Sequence, residues 1–111
     1  MDKELKYKKA VRNFILEESK HKLNLPEVRT VPVIDDAGGH YLLYHSGWHN
    51  NRRVYSCYLH IDVEGDRAIV QHNGTDIEVA DELMELGVCR EDIVLEFLPP
   101  YSRQYSGFAV A

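Results

Sequence analysis

The chain is poor in the features that mark several functional classes. It has two cysteines in 111 residues, Cys57 and Cys89, and they form no CxxC pair. Two cysteines could form a disulfide, but two free thiols in a reducing cytoplasm are the expectation. No apolar run approaches the ~20 residues a membrane-crossing helix needs. The lysine-rich opening, Met1 to Arg12, has no apolar segment behind it, so no secretory leader is expected. Gly38-Gly39 is too short to cradle a phosphate. Ser46-Gly47-Trp48 lacks the glycine that precedes serine in a nucleophile elbow. The paired carboxylates Asp35-Asp36 and Glu91-Asp92 suit turns and helix starts. Together these absences predict a protein that is not an enzyme and needs no cofactor.

Basic charge is scarce outside one segment. The net charge is −5, yet residues 1–23 carry seven basic and four acidic side chains, leaving six basic and fourteen acidic for the rest. Affinity for nucleic acid comes mainly from neutralised phosphates and released counterions. An acidic body is a poor match for that, so direct DNA contact would fall to the first helix. Protein contacts suit the asymmetry at least as well.

The 44% hydrophobic and 28% charged fractions are those of an ordinary globular protein. Without linkers or repeats, residues 1–111 are expected to form one domain. Tyr7, Ala10, Val11, Phe14 and Ile15 recur at helical spacing, predicting one helix from Lys3 to about Leu23, with Pro26 barring continuation. A second, thinner stripe of Leu5, Leu16 and Leu23 lies on the opposite side. It is read either as scattered surface leucines or as a face for a second subunit or partner.

The middle of the chain predicts antiparallel strands over Val28–Ile34, His40–Trp48, Arg52–Val63 and Arg67–Gln71, joined by turns at residues 35–39, Asn50-Asn51 and Glu64-Gly65-Asp66. Pro32 marks the first as an edge strand. Alternation in the third places Tyr55, Cys57, Leu59, Ile61 and Val63 on one apolar face and buries Cys57 as an inert thiol. After Asn73-Gly74, Thr75 or Asp76 would cap a helix over Glu78–Leu86, with Gly87 in the left-handed position behind it. A second short helix is expected over Cys89–Phe97, ended by Pro99-Pro100 and followed by an extended tail. The fold class is α+β: an N-terminal helix, an antiparallel meander of three to four strands, then short C-terminal helices packed on one sheet face.

Two groups of side chains invite chemistry. His60 and Asp62 share a strand face and His72 falls on the next strand, a conceivable divalent-metal set. The prevailing expectation is hydrogen-bonded surface histidines and no metal. Arg52 and Arg53 beside Trp48 and Tyr55 form a small basic-aromatic patch of the kind single-strand binders use. Arg103 and Tyr105 in the tail suggest either a partner contact or a staple holding the C-terminus to the sheet.

Three stretches then carry a family resemblance. They are His40-Tyr41-Leu42-Leu43-Tyr44-His45-Ser46-Gly47-Trp48 followed by Arg53-Val54-Tyr55; His60-Ile61-Asp62-Val63 followed by Val70-Gln71-His72-Asn73-Gly74-Thr75-Asp76; and Ala80–Val88 with Glu91-Asp92-Ile93-Val94-Leu95, Pro100, Arg103 and the ending Phe108-Ala109-Val110-Ala111. In this order they resemble the XisI-like proteins, the fdxN-element excision controlling factors, from end to end. The chain departs from that pattern at Asn73, Asp76, Cys89 and Leu98. The resemblance implies a regulatory protein in the control of DNA-element excision in cyanobacteria. It acts beside a separate recombinase and a companion, XisH. An XisH-like partner and self-association are therefore expected, direct DNA binding is the alternative, and a metal-dependent nuclease subunit comes third.

Overall fold

The structure, a computed structural model, describes residues 2–21 and 24–109. Its elements run α1 (Lys3–Glu18), β1 (Val28–Asp35), β2 (His40–His49), β3 (Arg52–Glu64), β4 (Arg67–Asn73), α2 (Val79–Glu85), a 3-10 turn (Arg90–Asp92), β5 (Ile93–Leu95) and α3 (Pro100–Arg103). One five-stranded sheet has the order β1-β2-β3-β4-β5. The class is α+β as expected, but the sheet is mixed. The first four strands form the antiparallel meander, and β5 runs parallel to β4.

The turns follow from local chemistry. Asn50 and Asn51 both have positive φ, 49° and 63°. That is the pair of left-handed residues a two-residue hairpin needs to match strand twist, and asparagine tolerates it. Gly39 has φ 75°, and a Cβ there would stand 2.2 Å from the Val63 carbonyl oxygen. Glycine therefore lets the end of the β1–β2 turn lie against β3, where Val63 N–H donates to the Gly39 carbonyl at 2.8 Å. Pro32 sits on the edge strand β1, where its missing donor costs the sheet nothing.

α1 is capped by Asp2, whose carboxylate accepts from the Glu4 N–H at 2.9 Å. It buries Tyr7, Ala10, Val11, Phe14 and Ile15 against Tyr41, Leu43, Leu59, Ile61, Val63, Ala68 and Val70 of the sheet. Val79 and Leu83 of α2 complete this cluster, so α1 and α2 lie on the same face. Burial of side chains this large contributes about 1.5–3 kcal/mol each. Ala80 and Met84 pack against the cluster, whereas Leu86 is 45% exposed.

Several boundaries differ from expectation. α1 ends at Glu18, where the Ser19 hydroxyl donates to the Leu16 carbonyl; Leu23 lies outside the described residues. Neither Thr75 nor Asp76 caps α2. Thr75 Oγ1 instead accepts from Ile77 N–H, two residues before the helix starts. Gly87 does close α2, with φ 103° and Val88 N–H donating to the Leu83 carbonyl. The helix expected over Cys89–Phe97 is a single 3-10 turn followed by β5. The β-branched pair Ile93-Val94 pairs beside β4 once α2 supplies the crossover that parallel strands require. The tail expected to be extended opens with α3. Pro100 stands in its first turn, where a fixed φ and a missing N–H suit a helix start.

One irregularity decides what the sheet displays. Leu43 opposes Leu59 while Tyr44 opposes Cys57, so Tyr58 is an extra residue in β3. Such a bulge shifts a strand's alternation by one. Leu59, Ile61 and Val63 are buried beneath α1, but Tyr55 and Cys57 turn to the other face and are exposed. The expected continuous apolar face of β3, and the burial of Cys57 with it, are thereby corrected. Gln71 plays the same part in β4, where His60 opposes His72 but Ile61 opposes Val70.

Candidate functional site

No helix among the described residues packs on the second face of the sheet, and it carries most of the candidate side chains. At one end Trp48 and Tyr55 are 53% and 68% exposed. The Arg53 guanidinium lies 5.9 Å and 5.4 Å from their ring centroids, and Tyr44 packs at 5.5 Å from Tyr55. Arg53 also donates to the Gly47 carbonyl at 3.1 Å and the Ser46 hydroxyl at 3.2 Å, so it is held between the aromatics. A guanidinium over indole and phenol faces gains cation–π attraction while leaving ring area open. Arg52 is exposed at the same hairpin. Leu42 and Val33 continue the apolar surface toward β1, with Val33 39% exposed. Of the patch read from the sequence, Trp48, Arg53 and Tyr55 thus form one contiguous surface, whereas Arg52, next to Arg53 along β3, falls on the other side of the sheet.

At the other end the polar set is assembled differently from the sequence expectation. His60 Nε2 lies 2.8 Å from Asp62 Oδ1, as same-face neighbours on β3 should. The third member is His40, not His72. Register places His40, the first residue of β2, opposite Asp62, and its Nδ1 is 2.9 Å from the same Oδ1. Gln71, the bulged residue of β4, donates to Asp62 Oδ2 at 3.1 Å. His72 is exposed, with its Nε2 close to Gly74, outside the group of converging donors. The His40 imidazolium is favoured first by its hydrogen bond to Asp62 and then by that carboxylate's charge, with Asp35 and Glu64 adding to it. Asp62 itself is only 8% exposed although it belongs to the uncovered face.

A second carboxylate, Asp92, lies on the α1 side. It is 3% exposed and accepts from Lys3 Nζ at 3.0 Å, Arg67 Nη1 at 2.9 Å and the Tyr7 hydroxyl. Burial on its own would raise its pKa. The hydrogen bonds from Tyr7 and Lys3 and the charges of Lys3 and Arg67 outweigh that and hold the carboxyl below its usual range. Burial, then the bond to Asp92, pushes the Tyr7 phenol up, so it remains a donor. This clasp ties the start of α1 to the segment before β5. The sequence placed Asp92 at a helix start and did not connect it to Tyr7.

The remaining candidates divide. Leu5 is 64% exposed and lines a groove of about 440 Å3 along α1 with Lys8, Lys9 and Arg12, while Leu16 is half-buried. Arg103 turns inward. Its side chain is 11% exposed, and it donates to the carbonyls of Leu98 and Glu96 while pairing with the Glu96 carboxylate at 3.5 Å. That is the staple geometry, and Tyr105 beside it is 83% exposed. The missed member of the polar set, His40, had a signal. The two-residue Asn50-Asn51 hairpin between β2 and β3, together with the bulge at Tyr58, fixes which residue of β2 meets Asp62.

Comparison with known proteins bears on this arrangement. The sequence profile of the family described as XisI protein matches residues 1–110. The chain is similar to the crystal structure of a XisI-like protein from Anabaena variabilis, at 33% identity and a TM-score of 0.91 over 97% of this chain and 99% of that one. It is also similar to fdxN element excision controlling factor XisI from Anabaena variabilis, at 26% identity and a TM-score of 0.86 over 99% and 100% of the two chains. No curated protein matches.

Proposed function

The chain belongs to the XisI family, and on that premise we propose that it is a non-enzymatic accessory factor that controls excision or recombination of a DNA element by docking on a protein partner, an XisH-like companion. The observation that carries this reading is the uncovered sheet face with Trp48, Tyr55 and Val33 exposed and Arg53 fixed between the rings. Aromatics and arginine in a contiguous apolar surface are the usual anchors of a protein interface. The net charge of −5 and the pairing of Arg12 with Asp36 at 3.6 Å weigh against phosphate as the main target. A structural relative described as an excision controlling factor gives the setting.

The test is co-expression with the XisH-like companion, followed by size-exclusion chromatography with light scattering. A mixed complex is expected, and Trp48→Asp with Tyr55→Asp should abolish it while leaving the circular dichroism spectrum unchanged. Two folded proteins that elute separately would remove the proposal. The same light scattering reads self-association as the competing use of this face and of Leu5 and Leu16 on α1.

The second reading is DNA binding by α1, favoured by Lys8, Lys9 and Arg12 lining one open groove. Its mark is an affinity for duplex that falls steeply between 50 and 200 mM salt.

A further inference from the structure

The group at the far end of the uncovered face has a geometry that surface hydrogen bonding does not require. His40 Nδ1 and His60 Nε2 aim at the same oxygen of Asp62, and the three donor atoms all lie within 4.8 Å of one another. The other carboxylate oxygen is already held by Gln71. One imidazole would satisfy Oδ1, and solvent-accessible ion pairs add little stability. The histidine side chains are 53% and 29% exposed, so the convergence is open to solvent.

We propose that His40, His60 and Asp62 form a binding site for a zinc-class divalent ion, with a fourth coordination position open to water. Two imidazole nitrogens and one carboxylate oxygen are a donor set for such ions, whereas magnesium and calcium prefer oxygen alone. Bonds of 2.0–2.1 Å in a tetrahedron separate donors by roughly 3.3 Å. The present 2.8 and 2.9 Å separations therefore need to open by a few tenths of an ångström. Rotation of the exposed His40 imidazole and the part-exposed His60 imidazole supplies that movement without disturbing the ladder. Gln71 supplies the supporting hydrogen bond that orients a ligating carboxylate, leaving Oδ1 to the ion. Asp35 and Glu64 add negative potential at His40, which favours a cation. The backbone is fixed by the Gly39–Val63 contact, so His40 and Asp62 keep their register.

The experiment is isothermal titration of tag-free full-length protein with Zn2+, paired with the visible spectrum of the Co2+ form. Wild type should bind one ion per chain and give the intense absorption of four-coordinate cobalt. His40→Ala and His60→Ala should each weaken binding at least about tenfold and lose the spectrum. His72→Ala and His49→Ala should bind as wild type does. Far-UV circular dichroism confirms that each variant is folded, and Asp62→Asn gives a near-isosteric check on the carboxylate. Absence of saturable binding to wild type overturns the proposal. So does binding that survives both His40→Ala and His60→Ala, or that fails equally in His72→Ala.

Discussion

Asp62 and Asp92 are both buried carboxylates, 8% and 3% exposed, and they sit on opposite sides of one sheet. Their partners differ in kind. Asp92 is gripped by the permanent charges of Lys3 and Arg67, whose side chains reach solvent, and by a buried phenol beneath α1. Asp62 meets two imidazoles and an amide on the face that no helix covers. The first arrangement answers a structural need, because a buried carboxylate must be compensated where it stands. The second leaves nitrogen donors reachable from solvent, and these can exchange one partner for another. Residue type alone does not separate a clasp from a binding site; access and the chemistry of the neighbours do.

The sharpest way to break this contrast is to neutralise each carboxylate. Asp92→Asn removes the charge on which the buried Tyr7 hydroxyl and two permanent cations converge, and should cost about 2–3 kcal/mol of unfolding free energy in urea. Asp62→Asn keeps its shape beside exposed partners and should cost about 1 kcal/mol or less. Equal losses would mean that the uncovered face carries as much structural weight as the covered one.

Acid should act through Asp92. Its folded pKa lies below the unfolded value, so the stabilisation is complete above the unfolded carboxyl value of about 3.9 and is lost as pH falls through the lower folded value. The stability gap between wild type and Asp92→Asn should therefore be constant at neutral pH and narrow below about pH 4. A gap that widens on acidification would contradict the clasp.

The two thiols give the mildest probe. Cys57 is exposed on the uncovered face and Cys89 is half-buried near Tyr7, whose hydroxyl oxygen accepts from the Cys89 N–H at 3.3 Å. Cys57 should react with a thiol reagent faster than Cys89, without unfolding and without a change in melting temperature. Equal rates would show that both sides are equally open.

How far the sequence carried this picture depends on the range of the forces involved. α1, the four meander strands and their turns were readable because apolar spacing, Asn50-Asn51 and Gly39 act within a few residues. β5 was not, because three apolar residues preceded by Glu91-Asp92 satisfy a helical pattern as well as a strand, and only the presence of β4 decides. His60 and Asp62 were readable as same-face neighbours on one strand. His40 required the register between β2 and β3, set by the Asn50-Asn51 hairpin and the extra residue Tyr58, while His72 lies opposite His60 but the bond to Asp62 is made by Gln71. Arg103 looked like surface because its acceptors are backbone carbonyls, which carry no sequence signal.

The bulge at Tyr58 works as a change of reading frame within β3. Before it, odd-numbered residues point away from α1; after it, even-numbered ones do. Only that shift lets Tyr55 and His60, five positions apart, share a side, separated by about 15 Å at strand rise. Deleting Tyr58 would restore a strict alternation and leave both ends on this side, because Cys57 would then directly precede Leu59. By absorbing one extra residue as a bulge, β3 keeps both ends on one surface, within the footprint of one protein.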